Sequence, residues 1–356
     1  APSVITSSLR AYIGGTPLKW LTSYMSGRSQ SVIWNGTKSE PRPLTPGVAQ
    51  GSILGPLLFL VMVADLPKYV TNGTPNAKMM CYADDSTLYQ SAKSMELLKV
   101  DLEMMSTRMI KYCNNNGLII NSAKTKLLLS SKDDFEVTVG DSIVHADPEI
   151  CLLGITFDTN FATSPYLRKL ATEAKSRSAM IYRLSFSVPP NLLRLLANGL
   201  VIGKILAAAP AAIPFKIAHD DRAANLATET INRSIKSVAR TITKTSLSDK
   251  VSSKLVLEKA GLRTLNEMVA SQTAFMVWKS YKAKDCLGRT LFPKRSIQRT
   301  TRSINCLKAT QPVPGNNTLA ANLMARAWNS STELHNVTTI GAAKSVARKW
   351  AKNLVY

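Results

Sequence analysis

Met79-Met80-Cys81-Tyr82-Ala83-Asp84-Asp85-Ser86-Thr87-Leu88-Tyr89 runs an apolar strand into two adjacent aspartates and leaves them on a second apolar-alternating strand. The pattern predicts a β-hairpin that holds two carboxylates at its tip. Adjacent carboxylates repel, and each disfavours the other's charged form unless a cation sits between them. A pair of Mg²⁺ ions ~4 Å apart, clamping the attacking and leaving oxygens of a phosphoryl transfer, is the usual resolution. The plain alternative is a polar turn, since Asp is a favoured turn residue. What surrounds the tetrapeptide separates the two.

Working outward, charge is unevenly placed. Residues 1–160 carry 14 basic and 14 acidic groups, and residues 161–356 carry 31 basic and 9 acidic ones, so the whole net charge of +22 lies in the second part. Such a one-sided excess fits a polyanion held there, nucleic acid being the commonest. Five scattered cysteines without a Cys-x-x-Cys or a nearby histidine encode no zinc knuckle and no disulfide framework, and point to a reducing compartment. The longest uncharged apolar run, 53–64, is too short to span a bilayer and contains Gly55-Pro56. No membrane association is expected, and the expected location is intracellular, nuclear or cytoplasmic.

Along the chain, residues 1–29 read as two helices parted by Gly14-Gly15, and 30–44 as two strands around the turn signal Asn35-Gly36. A glycine-rich loop, Gly47-Val48-Ala49-Gln50-Gly51-Ser52, leads into an apolar helix ending near Asp65-Leu66-Pro67. Glycines there let backbone approach a ligand closely. After the aspartate hairpin, Ser94 caps a helix with Met95, Leu98, Leu102, Met105, Met109 and Tyr112 on one face, a methionine stripe that reads as core. Short strands are expected at 118–120 and 126–129, a hairpin over 135–144 and one strand over 150–157 with Gly154 inside it. Helices dominate from Ser164-Pro165, taken as N-cap and first residue. The segment 222–244 is amphipathic and basic, and its Arg233, Lys236, Arg240 and Lys244 suit a phosphate track. Residues 288–314 read as an exposed basic linker, and a last helix covers about 341–354.

Four blocks in order carry a resemblance. Gly47-Val48-Ala49-Gln50-Gly51-Ser52-Ile53-Leu54-Gly55-Pro56-Leu57-Leu58-Phe59 with Asp65-Leu66-Pro67 is the first, and Tyr82-Ala83-Asp84-Asp85 the second. Gly117-Leu118-Ile119-Ile120-Asn121-Ser122-Ala123-Lys124-Thr125 and Cys151-Leu152-Leu153-Gly154-Ile155-Thr156-Phe157-Asp158 complete the series. Together they resemble the reverse transcriptase of non-LTR (LINE-type, jockey-like) retrotransposons. Upstream, Trp20-Leu21-Thr22-Ser23-Tyr24-Met25-Ser26-Gly27-Arg28-Ser29-Gln30 resembles the stretch before that family's Gln-Gly-Ser loop. Arg299-Thr300-Thr301-Arg302 and Ala327-Trp328-Asn329 are similar to the tail of such reading frames.

The resemblance implies an α+β chain: a partial polymerase palm over 1–160 (an antiparallel sheet with helices), a helical thumb-like region over 161–260 and a basic helical extension over 261–356. It implies an RNA-directed DNA polymerase, with an RNA template, a DNA primer or target, deoxynucleoside triphosphates and two Mg²⁺ ions. Asp84 would ligate the metals and Asp85 ligate or support. Gln50, Gly51, Ser52 and Tyr82 would shape the nucleotide and template pocket, and Lys124 would stand near the phosphates as a possible acid toward pyrophosphate. The family's first catalytic aspartate lies upstream of the segment at residue 1, and Glu40 is the first acidic residue here. One of three metal-binding carboxylates is therefore missing, and these residues alone are not expected to polymerise. The rival reading is a non-catalytic nucleic-acid-binding remnant of a mobile element. An intron maturase shares only the hairpin, and no RNase H carboxylate cluster is evident.

Overall fold

The computed structural model describes residues 2–44, 51–131, 133–213, 222–282, 327–328 and 330–354. The fold is α+β, and the chain divides into two compact units, Ala1–Asp147 and Pro148–Tyr356.

The first unit opens with α1 (Pro2–Leu9) and α2 (Gly15–Met25), parted by glycines of which Gly15 takes φ +60. Next, β1 (Ser29–Gln30) pairs with β4 (Arg42–Pro43) around an inner pair, β2 (Ile33–Trp34) and β3 (Thr37–Lys38). Asn35 and Gly36 close the inner pair at φ 48 and 80, the left-handed geometry that Asn-Gly supplies at little cost. The apolar helix α3 (Gly55–Val63) ends where expected. A second helix not foreseen in the sequence, α4 (Leu66–Thr71), starts at once, because Pro67 is tolerated in a first turn.

β5 (Lys78–Tyr82) and β6 (Asp85–Tyr89) form the aspartate hairpin. In α5 (Met95–Asn115) the Ser94 Oγ accepts the Leu97 N–H at 3.3 Å, as a capping serine does. The core gathers Ile5, Leu58, Met62, Leu66, Val70, Met105 and Tyr112 from α1, α3, α4 and α5. Met105 is fully buried, so the methionine stripe is core. Met79, Cys81 and Leu88 pack against this cluster, which fixes the hairpin's inner face. Truncating Leu58 to alanine in such a site costs about 2–5 kcal/mol. β7 (Glu136–Val139) and β8 (Ser142–His145) complete the unit.

The strands expected at 118–120 and 126–129 do not form. Ile119 is 93% exposed, and Leu127 makes a lone bridge to Ala146. Apolar runs this short, with no partner edge, do not hold as strands.

The second unit begins with a hairpin, β9 (Glu149–Leu152) and β10 (Ile155–Asp158), where the sequence suggested one strand. Leu153 and Gly154 turn the chain at φ 49 and 82, so the glycine inside the run is a turn. Ile155 packs on the helical core of this unit, so the hairpin belongs with the helices that follow it. α6 (Ser164–Leu184) is preceded by Thr163, not capped by Ser164; the Thr163 hydroxyl donates instead to the Ala212 carbonyl at 2.9 Å. α7 (Pro190–Ala197), a π turn (Asn198–Ile202), α8 (Gly203–Leu206) and α9 (Ala209–Ala212) follow. α10 (Arg222–Thr243) packs along α6, burying Ile231, Ile235 and Val238 among Leu167, Leu170, Ile181, Leu193 and Ile205.

α11 (Ser253–Ala260) is capped by Ser252 and stopped by Gly261 at φ +69. α12 (Leu265–Lys282), α13 (Thr332–Asn336) and α14 (Ile340–Lys352) pack through Ala274, Ala343 and Ala347, small residues that let helices approach closely. The expected linker over 288–314, Arg299 and Arg302 included, lies outside the described residues, as does Asn329. Among the described residues the sheets are five separate antiparallel pairs, not one sheet. No described helix is long and apolar enough to cross a membrane.

Candidate functional site

Tyr82 pairs directly with Asp85, so Ala83 and Asp84 are the two turn residues between β5 and β6. Ala83 takes φ 51, a left-handed backbone that hairpin turns normally give to Gly, Asn or Asp. For a residue with a Cβ this costs roughly 1–2 kcal/mol. Strain is thus kept at the carboxylate tip, the kind of place where it accompanies function. Inward, Cys81 Sγ lies 3.7 Å from Ser86 Oγ across the pair. Outward, Met80 and Tyr82 are 61% and 68% exposed, and Asp84 and Asp85 are both open to solvent. Their oxygens are hard donors suited to a divalent ion. Among the described residues no group of three or more His, Cys, Asp or Glu stands together as a metal site.

The loop before α3 is described from Gly51 onward; Gln50 lies outside the described residues. Gly51 turns at φ +79, and a Cβ there would meet no described atom within 4 Å. Ser52 Oγ accepts the Gly55 N–H at 3.0 Å and ties the loop to the start of α3. The Ser52 side chain first, then Arg28 through hydrogen bonding and charge, lowers the Tyr24 pKa from the ordinary tyrosine value.

Lys124 is exposed on a 3₁₀ turn, Ser122–Lys124, and pairs with no described carboxylate, Asp84 and Asp85 included. Of the four expected basic residues, Arg233, Lys236 and Arg240 lie on α10 and Lys244 just past its end, and they divide. Lys236 and Lys244 are exposed. Arg233 is ion-paired with Glu229 at 3.1 Å. Arg240 donates to the Ser246 and Val251 carbonyls at 2.9 and 3.2 Å, so it ties down the following loop.

One arrangement had no role in the sequence reading. On α2 the Trp20 and Tyr24 rings stack 5.7 Å apart and 12° from parallel, and the Arg28 guanidinium lies 5.2 Å from the Tyr24 centroid. The available signal was their spacing of four residues, which puts them on one helical face and its continuation.

Comparison with known proteins bears on this geometry. Residues 6–157 match the family model described as reverse transcriptase (RNA-dependent DNA polymerase). The chain is 31% identical over 156 residues to a protein named probable RNA-directed DNA polymerase from transposon BS of Drosophila melanogaster; the match covers 42% of this chain and 17% of that one. It is 26% identical over 174 residues to the RNA-directed DNA polymerase from mobile element jockey of the same species, covering 47% and 19%. The chain thus spans under a fifth of the length of these relatives. The matched family works on a nucleic-acid template with nucleotide substrates and generally uses divalent metal ions. Residues 6–157 are thus similar to the reverse transcriptase family, and the relatives matched there are named RNA-directed DNA polymerases of a transposon and a mobile element.

Proposed function

We propose that this chain is part of an RNA-directed DNA polymerase that extends a DNA primer on an RNA template. The observation that carries the reading is the strained Ala83 turn, which presents Asp84 and Asp85 together at the end of a hairpin anchored on the core. Asp84, with Asp85 beside it, would hold Mg²⁺, which supplies charge stabilisation to nucleotidyl transfer. Two carboxylates fit that ion in kind, and a further ligand would complete its shell. Gln50, Gly51, Ser52 and Tyr82 serve as nucleotide and template contacts, and Lys124 as a phosphate neighbour. Residues 1–160 act as the later part of a palm, 161–260 as a thumb, and 261–356 as a basic extension. The working compartment is intracellular, where RNA template and target DNA are both present.

The basic excess after residue 160, 31 basic against 9 acidic groups, would serve equally well a second reading, a remnant that binds nucleic acid without catalysis. Primer extension separates the two. The purified chain is expected to bind an RNA–DNA primer–template and add no nucleotide. Joined to an upstream segment that supplies an aspartate-bearing strand, it should extend the primer, and Asp84→Asn should abolish that extension. Extension indifferent to Asp84→Asn would overturn the polymerase reading.

A further inference from the structure

The stacked pair on α2 is placed as structural aromatics seldom are. Trp20 is 58% exposed, so one face of its ring meets solvent while the other lies toward Tyr24. An exposed indole in parallel stacking, rather than edge-on in a core, presents a flat π surface to whatever arrives next. Arg28 continues the line beyond Tyr24, its guanidinium 5.2 Å from the ring centroid. The sequence on either side carries charge of one sign. Residues 1–39 contain Arg10, Lys19, Arg28 and Lys38 and no Asp or Glu. A protein segment docking on Trp20 would ask for apolar complementarity; an aromatic step beside an arginine, in a region without carboxylates, matches a single strand of nucleic acid.

We infer that Trp20, Tyr24 and Arg28 form a stacking platform for single-stranded nucleic acid, with a base on the open face of Trp20 and a phosphate at Arg28. Tyr24 is the support that holds the indole flat. Ser52, whose side chain lowers the Tyr24 pKa and whose Oγ accepts the Gly55 N–H at the start of α3, sets the platform beside the Gly51-Ser52 loop. An unpaired strand leaving that loop would therefore meet an aromatic step. The inference rests on the reading of the chain as a template-handling protein and adds to it a site that reads no sequence, because every base has a π face.

The test uses the full 356-residue chain and a fluorescein-labelled single-stranded pyrimidine oligonucleotide, with affinity followed by anisotropy across a salt series. Trp20→Ala should weaken binding by about 5- to 100-fold and leave the salt slope unchanged, because stacking releases no counterions. Trp20→Phe should restore most of the loss. Arg28→Gln should make the slope shallower by about 0.7, the share of one single-strand phosphate. In the unaltered chain, a 5-iodouracil oligonucleotide should photocrosslink to the peptide containing Trp20, a readout that no folding defect can mimic. Crosslinks confined to other peptides, or equal affinity for Trp20→Ala and the unaltered chain, would overturn the platform. An equal loss on a blunt duplex would do the same. If the unaltered chain bound no oligonucleotide at all, the reading beneath the platform would fall as well.

Discussion

The Tyr112 hydroxyl on α5 reaches both the Met62 carbonyl, at 2.8 Å, and the Asp65 carboxylate, where α3 gives way to α4. Tyr112 is 6% exposed, so its ring is core and its hydroxyl a buried polar group that must be satisfied. Tyr112→Phe should cost about 1–3 kcal/mol, because it strands partners on the α3–α4 junction. Urea unfolding of the two chains side by side measures it; a difference within error would mean that solvent serves the junction equally well.

The same pair sets a pH dependence. Burial first, then the hydrogen bond to Asp65 and its charge, raise the Tyr112 pKa well above the ordinary tyrosine value. The folded state therefore keeps a proton that the unfolded state releases above pH ~10. The contribution is complete below that pH and drains away as pH rises beyond it. Stability should fall more steeply with alkali in the unaltered chain than in Tyr112→Phe, and parallel slopes would refute the assignment.

At the hairpin tip, Ala83→Gly should relieve the left-handed strain at φ 51, less the entropy that glycine adds to the unfolded chain. The net expectation is a gain between zero and about 1 kcal/mol. The reverse change at Gly51, to alanine, should cost about 1–2 kcal/mol although no described atom lies in its way, because φ +79 is itself unfavourable. Thermal unfolding of both variants checks the opposite signs.

Lys236→Gln on α10 and Lys244→Gln just past its end should each make the salt dependence of nucleic-acid binding shallower by about 0.7–0.9. Arg233→Gln should do less, since Glu229 already offsets its charge. Arg240→Gln should appear mainly as lost stability of the loop after α10, because its N–H groups bind the Ser246 and Val251 carbonyls. Anisotropy titrations against salt, beside melting curves, separate the three behaviours.

Arg108 offers a purely structural comparison. It donates to the Val70 carbonyl at 3.3 Å, to Thr74 Oγ1 at 3.3 Å and to the Asn72 carbonyl, collecting the loose C-terminal end of α4. Arg108→Met should destabilise by about 1.5–3 kcal/mol and raise hydrogen exchange around residues 70–77, with nucleic-acid binding nearly unchanged. Unaltered exchange there would show that the clamp is dispensable.

Where local chemistry rules, these features were legible. Ser94 before a four-spaced apolar stripe specifies α5, and Asn35-Gly36 specifies the inner β2–β3 turn. The Tyr82-Ala83-Asp84-Asp85 hairpin was readable for the same reason, with a pattern of alternation on both sides. The errors share a cause too. Residues 118–120 and 126–129 have strand composition, yet strand formation needs a partner edge that no local pattern reports. At 150–157 the glycine reads from sequence as a strand residue, whereas Leu153 adopts the left-handed region beside it and folds the run in two. Of the candidate site, the aspartates and the Gly51-Ser52 loop could be read from residue type. The Trp20–Tyr24 stack could not, because apolar side chains at helical spacing usually mean burial, and only coordinates tell which ring stays open.

The nested and single hairpins have a consequence for how the first unit assembles. Among the described residues, every strand pairs with its neighbour in the chain or, for β1 and β4, closes around the pair between them. Loop closure over such short spans is cheap, and isolated hairpins form within about 1–10 μs. These pairings can follow one another as the polypeptide emerges during synthesis. The slow event is then the arrival of α5, because Met105 must find a cluster begun by Ile5 near the start of the unit. Substitutions in the early hairpins and along α5 should accordingly alter the folding rate, and those at contacts made only after α5 docks chiefly the unfolding rate.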